Sequence, residues 1–110
     1  MMSKFYNDVY EVVRLIPPGR ATSYGAIARY LGAIRSSQMV GYAMNLAHSV
    51  IPSVPAHRVV NRNGLLTGKM HFNPPEAMEQ RLQDEGIIVR DDAIQDWDNV
   101  FWDPSENLRL

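Results

Sequence analysis

The chain has 110 residues, 45% of them hydrophobic, and no cysteine. That length suits one globular domain, 1–110, with a modest core, and the missing thiol excludes disulfides, thiolate metal sites and any cysteine nucleophile. The formal charge of −1 hides a segregation: residues 1–75 carry eight basic against two acidic side chains, net +6, and residues 76–110 carry three against ten, net −7.

A basic body followed by an acidic third fits one face that attracts a polyanion such as DNA and another that repels it or meets a different partner, and it fits an ordinary mixed surface equally well. The first residues, Met1-Met2-Ser3-Lys4-Phe5-Tyr6, contain no apolar leader core. No stretch approaches the roughly 18 to 20 apolar residues of a membrane span, so a soluble, cytoplasmic protein is expected.

Ser3 can cap a first helix whose Phe5, Val9, Val12, Val13 and Ile16 recur at helical spacing, and Pro17-Pro18-Gly19 stops it. Thr22 or Ser23 can cap a short second helix carrying Tyr24, Ile27, Ala28 and Leu31 and ending at Gly32. Ser36 or Ser37 can start a third, through Met39, Val40, Ala43, Met44 and Ala47. Two short helices joined by a glycine-containing turn suggest a helix-turn-helix. Its second helix offers base edges only Gln38 and Asn45, with Arg35 beside them, a poor set for reading sequence in a major groove.

Val59-Val60 leads into the turn signal Asn61-Arg62-Asn63-Gly64. Residues 75–86 read as a further helix with Ala77 or Met78 and Leu82 facing inward and Gly86 as its C-cap, and Ile87-Ile88-Val89 as a short, buried, extended run. The acidic stretch 91–110 carries Trp97, Phe101 and Trp102, too aromatic for a disordered tail, and is expected to pack back on the body. His48, His57 and His71 are not at paired ligand spacing, so neither a metal nor another cofactor is expected.

The string Pro52-Ser53-Val54-Pro55-Ala56-His57-Arg58-Val59-Val60 resembles the Pro-Cys-His-Arg-Val active-site motif of the O6-alkylguanine-DNA alkyltransferases, with Ala56 where that family has its acceptor cysteine. The resemblance extends from Phe5 to Gly86 through Pro-Gly-Arg-Ala-Thr-Ser-Tyr-Gly at 18–25, Val-Gly-Tyr-Ala-Met at 40–44 and Asp-Glu-Gly at 84–86. With alanine at 56, the chain is similar to the alkyltransferase-like members of the family.

The resemblance implies a small, mainly α (α/β) domain with a winged-helix-like helix-turn-helix entering the minor groove. It also implies a non-enzymatic sensor that holds O6-alkylguanine flipped out of duplex DNA and passes it to nucleotide-excision repair proteins; a monomer is the default expectation. His57 and Glu85 match the residues that activate the thiol, vestigial once alanine replaces it. Tyr24 matches the tyrosine that helps rotate the base outward, and Gln38 stands where the family has an arginine that fills the vacated stack; glutamine lacks its charge.

The lesion pocket carried over comprises Tyr24, Pro52, Ala56, His57, Val59 and, from the pocket-closing loop 67–71, Gly68, Lys69 and Met70. Candidate DNA contacts are Arg20, Thr22, Ser23, Arg35, Ser36, Ser37, Gln38, Met39, Gly41, Tyr42, Asn45 and Arg62. Arg58 is expected to brace the loop by bonding carbonyls or a carboxylate. Rival functions are a transcription regulator, an alkyltransferase with another nucleophile and a protein-interaction module.

Overall fold

The computed structural model describes residues 3–108; Met1, Met2, Arg109 and Leu110, which the sequence reading includes in its 1–110 unit, lie outside the described residues. Helix α1 spans Lys4–Arg14, with the Ser3 hydroxyl accepting from the Tyr6 N–H as its N-cap. Its inward stripe of Val9, Tyr10, Val12 and Val13 is buried, and Ile16 just beyond it is too. The Tyr10 hydroxyl, inside the core, donates to the Ala43 carbonyl at 2.8 Å and so fixes α1 against the third helix.

A two-residue strand, β1 (Thr22–Ser23), runs directly into α2 (Tyr24–Tyr30). Ser23, not Thr22, caps α2, its hydroxyl accepting from the Ala26 N–H. Gly32, at φ +76°, closes α2 with bonds from Gly32 N–H to Arg29 and from Ala33 N–H to Ala28, the six-to-one and five-to-two pattern that a left-handed glycine allows. A single 3-10 turn at Ile34–Ser36 leads into α3 (Ser37–Leu46), which packs on α1 and α2; the Ser36 side chain makes no capping bond. The α2–turn–α3 unit is the expected helix-turn-helix within a mainly helical fold.

Strand β2 (Val59–Val60) pairs in parallel with β1, Thr22 opposite Val59 and Ser23 opposite Val60. Asn61 then organises the turn, its side-chain oxygen accepting from the Asn63 and Leu65 N–H groups, and Gly64 adopts φ +78° under the Trp97 ring, where a Cβ would lie 3.1 Å from it. Helix α4 (Ala77–Asp84) buries Met78 and Leu82 and ends through Gly86, at φ +88°, in the same capping pattern as α2.

The hairpin of β3 (Val89–Arg90) and β4 (Ala93–Ile94) follows. The expected buried run is half right: Ile87 and Val89 are buried but Ile88 is exposed, because an extended chain turns alternate side chains to opposite sides. Two single-turn helices, α5 (Trp97–Val100) and α6 (Pro104–Asn107), complete the chain.

The acidic stretch does return to the body. Ala21 exchanges backbone bonds with it, its N–H donating to Val100 and its carbonyl accepting from Trp102. Trp102 is buried in the common core, whereas Trp97 is half-buried against Phe101, with ring centroids 5.3 Å apart. Trp102→Ala should therefore lower stability by about 3–5 kcal/mol, read as a lower urea midpoint; an unchanged midpoint would show that this stretch lies outside the cooperative fold.

Candidate nucleic-acid interface and base pocket

The β1–β2 ladder brings two distant segments together. Tyr24 begins α2 immediately after β1, and Ala56, His57 and Arg58 form a 3-10 turn immediately before β2. Tyr24, Ala56 and Val59 accordingly line one small cavity, with Met44, Asn45, His48, Gly68, Phe72 and Met78 closing it. It offers a water-sized sphere only about 10 Å³, room for about one water molecule. A purine enters only if the walls part. Residue 68 faces Tyr24 closely: a Cβ there would lie 2.9 Å from the Tyr24 hydroxyl and would have to push that ring aside.

The turn that Ala56 opens also carries a hydrogen-bonded acid–base pair, although His57, expected in the lesion pocket, lines a separate cleft with Arg14 and Arg81 and not this cavity. His57 Nε2 lies 2.7 Å from Glu85 Oε2. The same carboxylate accepts from Arg58 Nε at 3.0 Å and Nη2 at 2.7 Å and from the Gly19 N–H at 3.1 Å, while Arg58 Nη1 donates to the Ile16 carbonyl.

Burial would push the Glu85 carboxyl upward, but hydrogen bonds from Arg58, His57 and Gly19 outweigh it and hold the group at about 2. Burial also lowers His57 below its ordinary 6.5, by more than Glu85 raises it. At neutral pH the pair is therefore a neutral imidazole donating from Nε2 to a carboxylate, which leaves Nδ1 as an acceptor. The residue beside it is a methyl with no proton to give.

Outside the cavity lies an open groove of about 380 Å³ along α3, lined in part by Ser37, Gln38, Gly41, Tyr42, Asn45 and Thr67, and meeting the cavity at Tyr24, Asn45 and Gly68. Nothing lies within 4 Å of where a Gly41 Cβ would stand, so another molecule can come close to the helix there. Gln38 is exposed and donates from Nε2 to the Tyr42 hydroxyl at 2.8 Å. Arg35, Met39 and Arg62 are exposed, and Ser36 is half-buried.

Other expected site residues are placed elsewhere, and each has a physical reason. Arg20 donates from Nε and Nη2 to the Val100 and Phe101 carbonyls, which ties that edge of its guanidinium to the returning acidic stretch. Thr22 is wholly buried, and the Ser23 hydroxyl is occupied as a helix cap. Lys69 is ion-paired to Asp92 in a separate acidic cleft. Pro52 and Met70 are exposed and line neither the cavity nor the groove.

Sequence reasoning missed His48, Phe72, Met44 and Met78 as cavity walls. Met78 does carry helical periodicity, but nothing in that pattern distinguishes a cavity wall from an ordinary core position. Among the described residues no three His, Cys, Asp or Glu side chains converge as metal ligands, and no helix is long and apolar enough to cross a membrane.

Comparison with known proteins places the chain in one family. The family model described as the DNA-binding domain of 6-O-methylguanine DNA methyltransferase matches residues 4–87. Alkyltransferase-like protein 1 of Schizosaccharomyces pombe is 33% identical over 96 residues, covering 87% of this chain and 88% of its own. A DNA base-flipping protein of Escherichia coli is 31% identical over 89% of this chain and 74% of its own. The crystal structure of S. pombe Atl1 in complex with damaged DNA containing O6-carboxymethylguanine superposes with a TM-score of 0.81 at 31% identity, over 94% of this chain and 99% of that one.

Both relay groups bind protons more readily when unfolded. Stability should fall as pH drops below the ordinary histidine value of 6.5, and again from the ordinary carboxylate value of 4.5 toward about 2. Glu85→Gln strands the Arg58 charge and should cost up to about 3–5 kcal/mol at pH 7. Denaturant titrations across pH should show that difference closing between pH 4.5 and 2; a pH-independent difference would refute the ionised carboxylate.

Proposed function

Because the chain belongs to the family of the 6-O-methylguanine DNA methyltransferase DNA-binding domain, we propose that it is a non-enzymatic sensor of alkylated DNA. It lays α3 and its groove in the minor groove of duplex DNA, receives O6-alkylguanine rotated out of the stack between Tyr24 and Ala56, and keeps the alkyl group in place. One observation supports this reading: Ala56 lines the cavity and opens the turn whose next residue, His57, is hydrogen-bonded to Glu85, in a chain without cysteine. Transfer needs a lone pair to attack the alkyl carbon, and the Ala56 methyl has none.

O6 of guanine lies inside the base pair, so reading it requires extrusion, at about a few kcal/mol. Tyr24 stands where the groove meets the cavity and supplies the surface past which the base must turn. Gln38 lies on the rim of the groove and fills the gap left in the stack. Tyr42 orients its amide, which hydrogen-bonds the orphaned base without adding charge. Phosphate contacts from Arg35 and Arg62 give affinity without sequence preference, so binding weakens as salt rises. A protein that holds a lesion without removing it needs a downstream excision step, and nucleotide-excision repair supplies one.

The test is competition binding, at fixed salt, to identical duplexes containing guanine or O6-methylguanine, followed by mass analysis of the DNA. The lesion should be preferred and its methyl group recovered intact; equal binding, or methyl loss with a matching gain on the protein, overturns the proposal. Tyr24→Ala should reduce that preference by about tenfold or more while the urea midpoint changes little.

A further inference from the structure

A second, larger space lies beyond the small cavity. This cleft of about 800 Å³ runs from Arg14 on α1, past His57, to Arg81 on α4. His48 and Phe72 line both spaces, and their rings meet edge to face with centroids 4.5 Å apart, so they form the partition between them. The Arg81 guanidinium sits 5.6 Å from the centroid of the Phe72 ring.

The cleft has no carboxylate in its lining. The charge of Arg58 is taken up by Glu85, but Arg14 and Arg81 have no ion-pair partner among the described residues. Arg14 is also incompletely bonded: Nη2 donates to the Pro52 carbonyl at 2.8 Å, while Nε is buried with no acceptor. A buried donor without an acceptor costs about 1–3 kcal/mol, and a planar guanidinium is matched by a carboxylate. The field reaches the partition as well, since His48 is lowered by burial and further by Arg81 and His71.

We propose that this cleft is an anion subsite that takes a carboxylate carried at the far end of an O6 substituent. The inference rests on the proposed function: with the damaged base beside Ala56, the His48 and Phe72 rings part to admit the substituent, and its carboxylate is held by Arg14 and Arg81. The chain thereby favours O6-carboxyalkyl lesions over neutral lesions of equal length.

The experiment measures binding of duplexes containing guanine, O6-methylguanine, O6-(3-carboxypropyl)guanine or the corresponding neutral amide to the wild-type protein and to Arg14→Gln and Arg81→Gln. Wild type should bind the acid about tenfold or more tightly than the amide, and the ratio should fall toward one in each variant. Arg81 is exposed, so Arg81→Gln carries the test even if Arg14→Gln fails to fold.

Equal binding of acid and amide, with O6-methylguanine still preferred over guanine, overturns the subsite and leaves the proposed function standing; no preference for any lesion overturns both. Free butyrate that displaces the acid-bearing duplex at equal concentration would show that the cleft takes anions independently of the base, and would overturn its assignment to a substituent.

Discussion

One carboxylate ties the site together. Glu85 is the C-cap of α4, just before Gly86, and it gathers the loop after α1 through the Gly19 N–H and the turn before β2 through His57 and Arg58. Arg58 extends the tie to the end of α1 through Ile16. An anion this heavily bonded is tolerable in a half-buried place because each oxygen has donors facing it. The same charge that orients His57 also holds three chain segments in register.

The local features of this fold were legible in the sequence because they depend on a few neighbouring residues. Ser3 as a cap, Gly32 and Gly86 as helix stops, and the Asn61–Gly64 turn follow from the backbone conformations those residues favour. The β1–β2 ladder was not legible. Two residues give no period, and their partners lie 37 positions along the chain. Yet this ladder is what carries Tyr24 to Ala56. Their association in the reading came from the family motifs, and the backbone pairing supplies its physical basis.

Charge was the least legible property. Counted along the chain, the acidic third looks like a face separate from the basic body, but in the folded protein the two meet: Asp92 captures Lys69, and the carbonyls of Val100 and Phe101 occupy Arg20. Long side chains are steered by whichever partner the fold delivers, here 23 to 81 residues away. Within the larger cleft, the arginines left without carboxylates are Arg14 and Arg81, one from each side of the sequence's apparent charge boundary.

The glycine cap of α4 also sets a limit on how this chain can vary. A helix advances about 100° per residue, and Glu85 sits at the C-cap only because Gly86 turns the chain one position later. Inserting or deleting a single residue within Ala77–Asp84 would swing the carboxylate about a quarter turn away from His57 while leaving the helix, its cap and its apolar composition nearly intact. Loops elsewhere can drift in length without touching the relay; α4 can change its residues but hardly their number.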